Sequence, residues 1–164
     1  MDKPVIAAVN GYAMGVGLFT ALSCDMVMAS DQAKFGTAYI RLRLTPLGVS
    51  YLLAKTVGYC RGFELCALGD VIDARRADAL GLVNAVVPAD HLLAEARGVA
   101  GRLAEGPPRG LGFTKQLLRP AFHPDLEEHL LLGEAVQPLC LASADHREAL
   151  SAVAQRRKPR FEGR

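Results

Sequence analysis

The stretch Asn10-Gly11-Tyr12-Ala13-Met14-Gly15-Val16-Gly17 constrains this chain more than any other. The apolar run 5–9 leads into it and an apolar segment continues from it to Ser23. The pattern reads as a short, fully buried strand, a tight glycine-spaced turn, then a buried helix over 16–23. Such a turn leaves backbone N–H groups without partners at the helix start, facing whatever negative charge lies there. A backbone donor aimed at a developing oxyanion is worth roughly 3 kcal/mol in acyl chemistry. The helix itself supplies no acid or base, since Phe19 and Thr20 stand where a side chain would meet a reacting group.

Further along, 25–29 and 33–36 read as strands, and 37–50, with Pro46 and Gly48, as a loop containing one ordered stretch. Residues 51–57 and 62–68 are helical by pattern, with Ser50 as an N-cap. Asp73 caps a helix that stops at Gly81, a left-handed glycine just past its end. A strand over 83–87 ends at Pro88, and Asp90 caps a helix to about Leu103. After Pro107-Pro108 the pattern is helical: 114–118, 126–141, and 144–156 behind Ser143 as N-cap. Short strands mixed with helices, then helices alone, predict an α/β core over 1–106 and a helical region over 107–164.

Composition excludes several classes. The chain has 164 residues, and its net charge of +2 is too small to imply nucleic-acid binding. Cysteines at 24, 60, 66 and 140 form no Cys-x-x-Cys pair, so no metal is expected; Cys24 and Cys140 read as small core residues. No signal peptide or membrane span is expected, and a cytoplasmic location is the default reading. Residues 15–20 lack the third glycine of a dinucleotide fingerprint, and no Gly-x-Ser-x-Gly elbow is present. The last nine residues hold Arg156, Arg157, Lys158, Arg160 and Arg164 against Glu162 alone. They read either as a solvated, frayed tail or as a phosphate contact.

Lys3-Pro4 through Gly17, then Cys24–Ser30, Lys34-Phe35-Gly36, Gly81–Pro88 and Arg156–Phe161 stand in an order and spacing that resembles the crotonase (enoyl-CoA hydratase/isomerase) superfamily. The resemblance covers essentially the whole chain. It implies a ββα spiral core, here incomplete at the N-terminus and matching the C-terminal part of the family domain. It also implies C-terminal helices that assemble trimers or dimers of trimers. The implied ligand is an acyl-CoA thioester, as substrate and not as a cofactor, and the implied chemistry is enolate stabilisation by backbone N–H groups.

Carried over residue by residue, the resemblance makes Val16 a backbone donor to the thioester oxygen, with Gly15 and Gly17 keeping the turn permissive. The two family hydratase glutamates match Phe19 and Tyr39, and a carboxylate of some isomerases matches Leu47. Hydration needs one group to activate water and another to deliver a proton. Phe and Leu do neither, and a phenol of ordinary pKa near 10 is a poor base at neutral pH. Tyr39 remains a candidate to orient a carbonyl or donate a proton, beside a reading as a pocket wall. Arg41 and Arg43 are expected on one face of an extended segment, meeting either a substrate carboxylate or solvent. Asp25 reads as a carboxylate holding a backbone N–H, and Asp31 as a turn residue. Val153 and Arg156 match family contacts to CoA across a subunit boundary; Val153 lacks the usual aromatic, whereas Arg156 keeps the charge and suits phosphate well.

The expectation is therefore an enoyl-CoA hydratase/isomerase-like protein acting on an acyl-CoA. The alternative is a non-catalytic acyl-CoA-binding or scaffold protein that has lost the acid/base carboxylates. A third reading keeps catalysis, as a decarboxylase, isomerase or thioesterase, with groups from outside this chain.

Overall fold

The computed structural model describes residues 1–46, 48–118, 135 and 138–163. It divides into two compact units, Val5–Val99 and a second made of Met1–Pro4 with Ala100–Arg164.

In the first unit, strand β1 (Ile6–Val9) and strand β2 (Tyr12–Met14) meet at a corner, followed by helix α1 (Val16–Leu22). The same path repeats in β3 (Met26–Ser30) and β4 (Lys34–Gly36), followed by a 3₁₀ turn at Tyr39–Leu42. β1 pairs with β3 in parallel, Ile6 opposite Met26, and β2 pairs with β4 in parallel, Tyr12 opposite Lys34. Successive turns of chain thus stack on one another. β3 also takes β6 (Ala85–Val87), giving the order β1-β3-β6, and β4 takes the short antiparallel β5 (Ile72–Asp73), giving β2-β4-β5. The central β3 buries four consecutive residues, as a parallel strand covered on both faces must. β1 is only partly buried, with Ala8 exposed, so the fully buried strand expected there is corrected: among the described residues β1 is an edge strand.

Helices α2 (Val49–Val57) and α3 (Tyr59–Leu68) pack through Gly62, where an added β-carbon would come 3.1 Å from the Ala54 nitrogen. The core is built of Leu18, Phe35, Val49 and Leu53, all at most 1% exposed. Truncating a side chain such as Leu53 to Ala costs about 2–5 kcal/mol. α1 is buried on one face only, through Leu18 and Ala21, which corrects the expected buried helix. Ser50 is not a cap, because Gly48 precedes α2 at φ 73°, a left-handed conformation that favours glycine. Asp25 does hold a backbone N–H: Val5 N–H donates to its Oδ2 at 2.7 Å, and Asp25 N–H returns a bond to the Val5 carbonyl.

Helix α4 (Ala74–Ala79) starts at Asp73, whose carboxylate accepts from Arg76 N–H at 2.8 Å. It stops in a Schellman motif: Gly81 N–H donates to Asp78 O and Leu82 N–H to Ala77 O. The strand expected over 83–87 begins only at Ala85, because the Asn84 side chain takes over the pairing and accepts from Val27 N–H at 2.7 Å. Helix α5 (Leu92–Ala104) begins behind His91, whose carbonyl accepts the first helical bond, and not behind Asp90.

In the second unit, α6 (Pro108–Leu118) opens with a proline at its first position, where no N–H is needed. It buries Lys115, whose Nζ donates to the Lys3 carbonyl at 3.1 Å. Helix α7 (Ala144–Ala154) is capped by Ser143 Oγ, which accepts from His146 N–H. Most of the helix expected over 126–141 lies outside the described residues; its end at 138–141 is helical.

Candidate functional site

Gly15 shapes the start of α1. Its φ of 54° and ψ of −111° lie outside the regions open to residues with a side chain. Its N–H is held by the Gly36 carbonyl at 2.9 Å, so the chain turns sharply and Val16 becomes the first helical residue. The first helical bond runs from Phe19 N–H to Gly15 O at 3.0 Å. The N–H groups of Val16, Gly17 and Leu18 precede it and have no helical acceptor. Val16 as a residue is 69% exposed. Gly17 does not shape the turn, contrary to expectation: its φ is not left-handed, and an added β-carbon would meet nothing within 4 Å.

Tyr39 is carried to the same corner. A β-carbon on Gly15 would lie 3.3 Å from the Tyr39 hydroxyl and 3.5 Å from the Thr37 carbonyl. The 3₁₀ turn that carries Tyr39 is tightly determined. Buried Thr37 donates its Oγ1 to the Leu65 carbonyl at 3.1 Å, and Ile40 packs on Gly69. Ala38 and Arg43, at φ 55° and 57°, bracket it in left-handed conformations that cost non-glycine residues about 1–2 kcal/mol each. Arg41 and Arg43 therefore do not lie on an extended segment: Arg41 pairs with Asp70 at 3.0 Å and Arg43 closes the turn, exposed. The Tyr39 ring packs against the core, and its hydroxyl has no hydrogen-bond partner among the described residues. Phe19 packs on Gly48, where a β-carbon would come 2.9 Å from its ring. Gly15, Val16, Phe19 and Tyr39 are thus positioned by one corner and its neighbours; Leu47 lies outside the described residues.

The tail is not frayed. Arg156 follows the cap residue of α7 at φ 53°. Its N–H donates to Val153 O, and Arg157 N–H donates to Ala152 O. That is a second Schellman motif, with arginine where glycine is favoured. Arg157 is bidentate to Glu148, at 2.6 and 2.8 Å, and its Nε donates to Gln155 at 2.8 Å. Glu148 also accepts from Arg160 N–H, and buried Asp145 accepts from the N–H groups of Glu162 and Gly163. Lys158 pairs with Glu105 at 2.5 Å. The hydrogen bonds from Arg157 hold the Glu148 carboxyl at about 2, well below the ordinary carboxylate range. An open cleft of about 790 Å³ lies between α7 and this strap, lined by Asp145, Glu148, Arg157, Lys158 and Arg160 among others. Arg156 is exposed and makes no side-chain hydrogen bond among the described residues; Val153 is 78% exposed. Sequence reasoning missed Asp145 and Glu148. The signal for them was present, as two acids in the helix just ahead of a basic run.

The enoyl-CoA hydratase/isomerase family model matches residues 1–164. The chain is 38% identical to the 2,3-dehydroadipyl-CoA hydratase of Escherichia coli K12, over 99% of this chain and 64% of that protein. It is 39% identical to the 1,2-epoxyphenylacetyl-CoA isomerase of the same organism, over 100% and 63%. A crystal structure of enoyl-CoA hydratase from Bacillus anthracis superposes with a TM-score of 0.97 at 30% identity, covering 99% of this chain and 64% of that one. The chain thus spans less than two thirds of the length of these relatives, and its fold is the crotonase fold. From the stacked β-corner-β turns, the glycine-forced helix start and these matches together, the chain belongs to the enoyl-CoA hydratase/isomerase family.

Proposed function

We propose that this protein acts on an acyl-CoA thioester, whose carbonyl oxygen takes the Val16 N–H while enolate charge develops there. The observation that carries this reading is the Val16 N–H, which opens α1 without a helical acceptor behind the turn that Gly15 shapes. The names of the relatives, a CoA-thioester hydratase and a CoA-thioester isomerase, support the substrate class. A hydrogen bond that strengthens as the oxygen becomes negative lowers the barrier to enolate formation, by roughly 3 kcal/mol for one preorganised donor.

Hydration is disfavoured at this site. The residues at the two positions that carry carboxylates in family hydratases are a phenyl ring packed on Gly48 and the Tyr39 phenol. The same observation supports a second reading, an acyl-CoA-binding protein without acid/base chemistry. In both, the exposed Arg156 guanidinium meets phosphate at the nucleotide end of CoA, across a subunit boundary as the family resemblance implies. The exposed apolar residues Leu139, Leu141, Leu150 and Val153 suit a surface covered by further copies, in a trimer or dimer of trimers. A cytoplasmic location accompanies this reading.

Two measurements test it. Crotonyl-CoA incubated with the protein should keep its ultraviolet enoyl-thioester band at the rate of a buffer control; faster loss refutes the statement on hydration. Calorimetry should show an acyl-CoA binding that Val16→Pro weakens. Proline is tolerated at a first helical position and removes the N–H; Val16→Ala, which keeps it, is the control for the lost side chain. Equal affinity in the parent and Val16→Pro refutes the oxyanion role, and no binding by the parent refutes the substrate class.

A further inference from the structure

The structure assigns Glu148 a role as the positioning residue for Arg156: by engaging Arg157, it fixes the bend that presents the Arg156 guanidinium to an anionic ligand. This rests on the reading that Arg156 meets the nucleotide phosphates of CoA.

Arg156 stands where the backbone favours glycine, at φ 53° in the Schellman motif that ends α7. A left-handed residue with a side chain persists only where its surroundings over-determine it. The surroundings here are those of its neighbour. All three Arg157 nitrogens are engaged: Nε with Gln155, and both terminal nitrogens with Glu148 in a bidentate pair. Glu148 then takes the Arg160 N–H at 2.9 Å, so one carboxylate grips the chain one and four residues past Arg156. The neighbouring charges are neutralised as well, Arg157 by Glu148 and Lys158 by Glu105. Arg156 keeps its charge unpaired among the described residues and points from a fixed bend. A preorganised cation binds more tightly than a mobile one because less ordering is lost on association.

The alternative is that the tail attracts CoA only through its positive charge. The two ideas differ in sign. Glu148→Gln adds one unit of positive charge and Arg157→Gln removes one, yet each breaks the same pair. Positioning predicts that both variants bind coenzyme A about three- to tenfold more weakly by titration calorimetry. It also predicts that neither has any further effect in an Arg156→Ala background, because a residue acting through Arg156 is silent once Arg156 is gone. Tighter binding by Glu148→Gln overturns the proposal in favour of simple charge attraction, and affinity unchanged in both variants overturns it outright. An equal loss in the Arg156→Ala background overturns it too, in favour of a general structural role. Arg157 is exposed and Glu148 half-buried, outside the apolar core, so both variants should keep the parent circular dichroism spectrum; if one does not fold, the other still decides the sign and the background test. Unchanged affinity in Arg156→Ala alone refutes the nucleotide reading itself, and this proposal with it.

Discussion

Two substitutions at Arg156 separate what its backbone costs from what its side chain contributes. Arg156→Ala and Arg156→Gly both remove the guanidinium, and with it the favourable interaction of a cation with the end of α7, about 0.3–1 kcal/mol. Their difference isolates the left-handed conformation, φ 53°. An alanine held there costs about 1–2 kcal/mol, and the greater freedom of glycine in the unfolded chain returns about 0.4–1 kcal/mol of that. Arg156→Gly should therefore be more stable than Arg156→Ala by about 0.5–1 kcal/mol. For a chain of this size that is roughly 1–4 °C in melting temperature by circular dichroism. In calorimetry with coenzyme A the two should be alike, each about five- to thirtyfold weaker than the parent at low salt, as for loss of one charge-assisted hydrogen bond. The loss should shrink as salt rises, because the contact lies at the surface. An Ala variant as stable as the Gly variant would falsify the strain argument. A Gly variant that binds like the parent would show that arginine is placed there for another reason.

Three further outcomes are expected. Gly15→Ala should lower stability by about 2–3 kcal/mol in urea titration, since its backbone conformation excludes a side chain and its β-carbon meets Tyr39; a loss below about 0.5 kcal/mol refutes the assigned turn. The Glu148 carboxyl is depressed in the folded state from an ordinary 4.5 to about 2, so its stabilising effect is present in full above pH 4.5 and is lost as pH falls toward 2. Proteolysis of the tail should rise over that window in the parent and be flatter in Glu148→Gln; identical profiles contradict it. Light scattering at micromolar concentration should return a trimer or hexamer mass, and a clean monomer rules out the proposed assembly.

The chain was legible where its signals are local. Asp73 and Ser143 are N-caps with short polar side chains ahead of apolar periodicity, and Gly81 ends a helix as a left-handed glycine should. Gly15, Val16, Phe19 and Tyr39 were singled out by their resemblance to family positions; the corner sets Gly15 against Tyr39, while Phe19 packs on Gly48. The rest failed where long-range contacts overrule local pattern. Arg41 and Arg43, two residues apart, share a face only in an extended segment, but Thr37 on Leu65 and Ile40 on Gly69 wind theirs into a 3₁₀ turn. The basic tail read as frayed because its partners, Asp145, Glu148 and Glu105, lie 9 to 53 residues away in sequence. No local rule predicts a left-handed Arg156, since the rule for that position names glycine.

The stacking of β1 on β3 and β2 on β4 means that this half of the molecule grows by addition, as a solenoid does, each turn resting on the one before. Stability in such an array is graded along it, not uniform. β3 and β4 have neighbours on both sides, whereas among the described residues β1 and β2 sit at the edges of their sheets. Amide hydrogens of β3 and β4 should exchange only in the rarest openings, and those of β1 and β2 much sooner, because an edge strand can peel away while the turn behind it stays intact. The corner at Gly15 closes the edge turn. On the proposed reading, the Val16 donor therefore stands on the rung most easily lost, and anything that covers that edge, whether another turn of chain or another copy, would set the lifetime of that corner without touching it.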